Sequence, residues 1–250
     1  MTDHVVLSEM TWTEVDEVLK ERPVALVPVG ATVAHGPHLP LNTDSIIATE
    51  MAKRGAVKLK ERSIHALVLP PLAFTVADMG ADHAGTLSVP AATAIALIRD
   101  VAVVASKKFR AVILVNVHFE AAHLDCLKKA VEEAKKLGAS VASVDITKKR
   151  WEDLIDQDAQ AADHGGAFDT SLMLAAAPDT VRDAVRRSLP PIEGYLDGLK
   201  KGAKTYADAG SEDAYFGDPT AATAEDGETY FEGMAEILAV STMEHLGSKA

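Results

Sequence analysis

Short apolar runs alternate with amphipathic stretches along the first 145 residues of the chain, and that alternation predicts the fold. Val24 to Val27 reads as a buried strand that ends at Pro28 and Gly30. Ala66 to Leu69, stopped by Pro70 and Pro71, reads as a second strand, Ala111 to Val115 as a third and Ser140 to Asp145 as a fourth. Between them the apolar positions fall on the helical period, from about Ser45 to Lys60, Ala91 to Lys107 and Leu124 to Leu137, the last closed by Gly138. A first helix, capped by Thr13, carries Val15, Val18 and Leu19 on one face and stops before Pro23. Apolar strands that alternate with helices predict an α/β domain with a largely parallel sheet covered on both faces.

The pattern is less regular past residue 150. Trp151 to Ala162 is acidic and reads as an excursion or lid, in which Trp151 either closes over a ligand or joins the core. A polar cluster, Asp163 to Ser171, precedes a short apolar helix from Leu172 to Ala177. Gly194 to Asp218, rich in Gly, Asp and Lys, reads as a long functional loop, and a helix from about Ala224 to His245 closes the chain. We find no internal repeat and no low-complexity tract. A chain of 250 residues can bury a sizeable core, so one domain spanning residues 1–250 is expected.

Composition narrows the function. The net charge is −12 and no basic stripe occurs, which argues against a nucleic-acid partner and leaves a small molecule as the expected one. No apolar run approaches the ~20 residues of a membrane span, and the polar, acidic start does not read as a signal peptide. Cys126 is the single cysteine, so no internal disulfide forms. A cytoplasmic location is the expectation.

The chemistry concentrates where strands run out. After the first strand, a loop stiffened by Pro37 and Pro40 carries His35, His38 and Asp44. Two imidazoles and a carboxylate there suit a transition metal, although such histidines can equally be surface groups. At the end of the third strand come Asn116, His118 and Glu120, which share one face if the backbone stays extended. H-x-E alone is a common pattern; with His35 and Asp44 it makes a His/carboxylate metal site, catalytic in type because thiolates are lacking. Asp163 beside His164 is either a general-base pair or a helix cap. His123 and Cys126 read as structural, while His65 and His245 fall in no usable pattern.

Five stretches carry a family resemblance. They are V-P-V-G-A-T-V-A-H-G-P-H-L-P-L-N-T-D (27–44), A-G-T-L-S (84–88), V-N-V-H-F-E (115–120), H-G-G-A-F-D-T-S (164–171) and Y-F-G-D-P-T-A-A-T-A (215–224). In this order they resemble the creatininase (creatinine amidohydrolase) family. The resemblance implies a three-layer α/β/α sandwich with a largely parallel central sheet, often assembled as a homo-hexamer. It also implies a two-metal centre that hydrolyses cyclic amides, formamides or, in some relatives, lactone-like or cyclic ketone substrates. Asp44 is then the bridging ligand, His35 and Glu120 bind one ion, and His118 binds the other. His164, with Asp163 beside it, takes the place of a catalytic histidine that shuttles a proton to the leaving group of a metal-assisted hydrolysis. The expected ion is Zn2+, with Mn2+ or Fe2+ as alternatives, at one or two per chain.

This chain departs from the family pattern at three places. Val33 stands where the family has a metal-binding Glu two residues before the first His. Ala167 stands where many relatives have Glu, and Val117 follows the Asn where a small or polar residue is usual. With no donor at position 33, one ion keeps His35, Asp44 and Glu120, and the other keeps only His118 and the shared Asp44. The expectation is therefore one firmly held ion and a second site that is weak or empty. The rival readings of Val33 are a member that has lost hydrolysis and serves as a binding or non-catalytic subunit, and one that opens a sugar-derived lactone or cyclic diketone.

Overall fold

The computed structural model describes residues 5–155 and 163–247. Strands β1 (Val24–Val29), β2 (Ala66–Val68), β3 (Val112–Asn116) and β4 (Val141–Val144) form one sheet in the order β2-β1-β3-β4, with every pair parallel. Its flanking helices are α1 (Trp12–Leu19), α2 (Thr43–Glu61), α3 (Ala91–Ser106), α4 (Ala121–Lys136), α5 (Ala167–Ala176) and, near the C-terminus, a 22-residue helix (Ala224–His245). Three short helices precede that last one: α6 (Asp183–Arg186), α7 (Tyr195–Lys200) and α8 (Tyr206–Ala209); the C-terminal helix is α9.

Successive strand residues point to opposite faces, so a strand buried on both sides must be apolar throughout. All six residues of β1 are buried. Val24 and Leu26 pack with Met51 and Leu59 of α2, Leu172 of α5 and Phe231 and Leu238 of α9. Ala25, Val27 and Val29 pack with Ile98 and Ala102 of α3 and Leu127 and Ala130 of α4. The expected α/β/α layering is therefore what the chain adopts. Each fully buried Leu, Ile, Val or Phe contributes about 1.5–3 kcal/mol, so these two faces dominate the stability. Along the seam between α2 and α9, ion pairs Arg54–Glu228, Lys58–Glu232 and Arg62–Glu236 recur at four-residue spacing. Being partly solvated, each adds only about 1 kcal/mol; they align the two helices more than they hold them.

Several boundaries differ from the sequence expectation for local reasons. Pro28 lies inside β1 instead of ending it. Its carbonyl accepts from the Leu72 N–H beyond the end of β2, so the N–H it lacks costs no bond in the β1–β2 ladder. Thr11, not Thr13, caps α1, because Glu14 stands three residues on and completes a capping box. Helix α4 starts at Ala121, directly after Glu120. The stretch 194–218 contains α7 and α8 and is thus not a bare loop. Trp151 belongs to the core: it is buried, and its Nε1 donates to the Asp145 carbonyl at 3.2 Å. Ile155 of the proposed lid is buried in the core as well, and residues 156–162 lie outside the described residues.

Strand order also fixes where a ligand can sit. The chain runs from β1 outward to β2 and then crosses back to place β3 on the other side of β1. The loops leaving β1 and β3 therefore diverge, opening a crevice at the strands' carboxyl ends, where parallel α/β sheets bind ligands. Because two apolar faces hold the fold, metal is not needed to form it. Treatment with a strong chelator should leave the far-ultraviolet circular dichroism unchanged at room temperature; its collapse would contradict this assignment of stability to the core.

Candidate metal centre

The loop after β1 doubles back so closely that a side chain at Gly30 would collide with Asp44: an added Cβ would lie 2.6 Å from the Asp44 Cβ. This approach brings Asp44, in the first turn of α2, under the end of β1, where its Oδ2 accepts from the Ala31 N–H at 3.0 Å. The helix N-terminus favours negative charge at that point. Asp44 Oδ1 lies 3.1 Å from His35 Nε2, and Oδ2 lies 3.0 Å from His118 Nδ1. All three side chains are buried, at 2–4% exposure.

The other nitrogen of each ring settles what these short distances mean. His35 Nδ1 lies 3.1 Å from the Val33 carbonyl, and His118 Nε2 lies 3.1 Å from the Val76 carbonyl. A carbonyl can only accept, so those nitrogens donate, and in the neutral rings the nitrogens that face Asp44 carry lone pairs. Acceptor then faces acceptor on both carboxylate oxygens unless a cation lies between them. The donor set fits a metal on this ground, and backbone-anchored imidazoles are the usual companions of metal-binding histidines. Without metal a proton fills the gap. Burial lowers the pKa of His35, but the Asp44 carboxylate outweighs it and raises the ring to about 9. Burial likewise opposes ionisation of Asp44, yet His35 and His118 hold its pKa well below the usual carboxylate range.

Glu120 and His118 both line the crevice, with Glu120 Oε2 3.9 Å from His118 Nε2. The Glu120 carboxylate accepts from the Asp78 and Met79 N–H groups, while burial raises its pKa. Asn116 does not share that face: β3 ends there and its amide turns back onto the His118 main chain. His164 approaches from the opposite wall. Gly165, with φ +64°, allows this, since an added Cβ would lie 3.0 Å from the His35 backbone. His164 Nε2 donates to the Ala34 carbonyl at 2.9 Å, leaving Nδ1 toward the Tyr206 hydroxyl at 3.5 Å, and its ring stacks on Tyr206 at 4.3 Å. Burial, reinforced by His35, lowers the His164 pKa, which keeps the ring neutral.

Asp169 received no role from the sequence. Its carboxylate lies 4.0 Å from His35 Nε2, and the ligand atoms of His35, His164 and Asp169 all lie within 4.8 Å of one another. The signal was its place five residues after His164 at the start of an apolar helix. Asp163, in contrast, caps that helix: its oxygens accept from the N–H groups of Gly166, Phe168 and Asp169. Burial, with Asp169 adding to it, pushes the Asp163 pKa up. His38 is turned away from the ligand group, with Nε2 2.9 Å from the Thr170 hydroxyl. Val33 is fully buried and packs against Gly80, Ala77 and Tyr206, so the floor at the position of the family's Glu is apolar.

Above these groups is a cavity of about 400 Å³ whose rim is formed by Phe119, Leu124, Tyr195, Leu196 and Leu199. Among the described residues no lysine or arginine lines it.

The chain has relatives among known proteins. A family model described as "Creatininase: Creatinine amidohydrolase" matches residues 8–241. The chain is 32% identical over 219 residues to a mycofactocin precursor peptide peptidase of Mycolicibacterium smegmatis, covering 85% of this chain and 81% of that protein. It is 30% identical over 201 residues to a creatinine amidohydrolase of Pseudomonas putida, covering 72% and 75%. A solved manganese creatininase superposes with a TM-score of 0.73 at 23% identity, covering 97% of this chain and 98% of that one. A zinc–zinc form of a mutant creatininase gives 0.72 at 24% identity with the same coverage.

Asp44 is the one carboxylate in direct contact with both imidazoles. Asp44→Asn keeps the shape and removes the charge, so it should eliminate nearly all bound metal, measured as atoms per chain after dialysis. A variant that keeps its full metal complement contradicts the central position given to Asp44.

Proposed function

The chain belongs to the creatininase family of hydrolases; from that premise we propose that it is metal-dependent and cleaves the C–N bond of a small neutral or cationic amide. What carries the reading is that two acceptor-facing contacts, His35–Asp44 and His118–Asp44, line one cavity. By their place in the family motifs, Asp44, His35 and Glu120 would hold one divalent ion, zinc or manganese, and His118 with Asp44 the start of a second site, although Glu120 lies 3.9 Å from His118 here. A bound divalent cation supplies Lewis acidity and lowers the pKa of water at the site. His164 acts as the proton carrier. It is neutral, its Nε2 is tied to the Ala34 carbonyl, and its Nδ1 lone pair, which faces the Tyr206 hydroxyl at 3.5 Å, takes a proton and returns it to the leaving nitrogen. Tyr206 holds the ring by stacking, and its own burial raises its pKa, so the hydroxyl stays protonated as a donor. Asp163 supports His164 indirectly, by ordering the turn into α5.

The rim sets the substrate class. The cavity holds Asp44, Glu120 and Asp169 and, among the described residues, no lysine or arginine, so a substrate carboxylate placed away from the metal finds no counter-charge and is disfavoured there. The exposed Leu124, Leu196 and Leu199 favour an apolar group next to the amide. These leucines also favour a second reading, hydrolysis of an amide bond within a peptide, in keeping with the name of the mycobacterial relative.

A panel of creatinine, a simple formamide and a blocked apolar peptide tests both readings with zinc- or manganese-loaded protein. At least one neutral amide should be hydrolysed, activity should vanish on chelation, and His164→Ala should lower kcat by about 10²–10⁴-fold. A metal-replete protein inert toward every amide contradicts the proposal. Val33→Glu restores the missing carboxylate but buries it, so it should lower the melting temperature of the metal-free protein while raising metal content from one toward two per chain. Two firmly held ions in the unaltered protein would overturn the single-ion expectation.

A further inference from the structure

Beneath the metal centre, three polar side chains that do not line the cavity are almost wholly buried: Thr75, His123 and Asn116, at 1%, 0% and 2% exposure. The proton positions among them follow from fixed groups. The Asn116 amide is oriented by the His118 main chain, since its Nδ2 donates to the His118 carbonyl at 2.8 Å and its Oδ1 accepts from the His118 N–H at 3.3 Å. The same Oδ1 lies 2.8 Å from His123 Nε2, so that nitrogen carries a proton. A neutral imidazole carries one proton, so its Nδ1 is bare. Nδ1 therefore accepts from the Thr75 hydroxyl at 2.6 Å. Thr75 donates to His123, His123 donates to Asn116, and Asn116 holds both main-chain polar groups of His118.

The neighbours of Thr75 reach His118 as well, and Glu120 besides. The Val76 carbonyl holds His118 Nε2 at 3.1 Å, and the Asp78 and Met79 N–H groups hold the Glu120 carboxylate at 3.1 and 3.3 Å. Thr75 itself is tied down through its carbonyl, which accepts from the Val89 N–H. One segment after β2 thus grips the side chain of His118, its backbone through two relayed bonds, and the carboxylate of Glu120.

We propose that residues 75–79 form a positioning element for the metal centre, in which Thr75 and His123 act as positioning residues that set the His118 backbone so that Nδ1 faces Asp44. The inference rests on the proposed ligand role of His118. Outer groups that orient ligands typically change metal affinity by about 10–100-fold when removed, an effect that a purely structural core group does not have.

The test is the dissociation constant for Zn2+, measured by competition with a chromogenic chelator, in Thr75→Val, Thr75→Ser and His118→Ala. Thr75→Val keeps the volume and removes the hydroxyl; it should fold normally by circular dichroism and bind Zn2+ about tenfold more weakly or worse. Thr75→Ser keeps the hydroxyl and should bind like the unaltered protein. If Thr75→Val binds as tightly as the unaltered protein, the inference fails, whereas unchanged binding by His118→Ala refutes the ligand assignment on which it rests. Should Thr75→Val not fold, 15N spectra of the histidine-labelled unaltered protein decide the matter. His123 should be the Nε2–H tautomer with and without Zn2+, and an Nδ1–H tautomer overturns the relay.

Discussion

The two oxygens of Asp44 face nitrogens of His35 and His118 at 3.1 and 3.0 Å, while the other nitrogen of each ring is committed to a backbone carbonyl. Neutral rings so arranged set lone pairs against a buried carboxylate, and positive charge between them relieves the conflict. Low local polarity strengthens both the conflict and its relief. In the metal-free protein a proton on His35 serves, which is why that ring is raised to about 9 although burial alone would lower it. A divalent cation serves the same electrostatic end and adds the Lewis acidity that hydrolysis of an amide needs.

The rest of the architecture keeps this arrangement in place. The crossover between β1 and β3 delivers His35 and Asp44 from one loop and His118 and Glu120 from the other. Gly30 and Gly165 permit backbone approaches that any side chain would block, so the loops close on Asp44 and His35 without displacing them. The core on both sheet faces supplies the stability, leaving the centre free to hold buried, like-charged groups that a folding nucleus could not tolerate.

Much of this was legible in the chain itself, because the signals were periodic or local. Buried strands write continuous apolar runs, and the final helix, expected from about Ala224 to His245, has those bounds. His35, Asp44, His118 and Glu120 stood out by their place at strand ends. Less legible was anything that depends on tertiary approach. Asp163 beside His164 read equally as a general-base pair or a helix cap, and only the three backbone N–H groups that its oxygens accept from decide for the cap. Asp169 drew no attention because its nearness to His35 arises from the folding of α5 against the β1 loop, separated by more than a hundred residues. His123 read as a structural histidine, and only its bonds to Thr75 and Asn116 show how it bears on His118.

Val33 gives the centre its asymmetry. The apolar contacts it makes with Gly80 and Tyr206 replace a charged ligand on one side, while Asp169 and His164 crowd the other. The account therefore stands on where positive charge collects. Crystals of the zinc-loaded protein, measured on both sides of the zinc absorption edge, answer that directly. The account predicts the strongest anomalous peak within bonding distance of an Asp44 oxygen and a nitrogen of His35; a dominant peak that leaves Asp44 uncoordinated would contradict it.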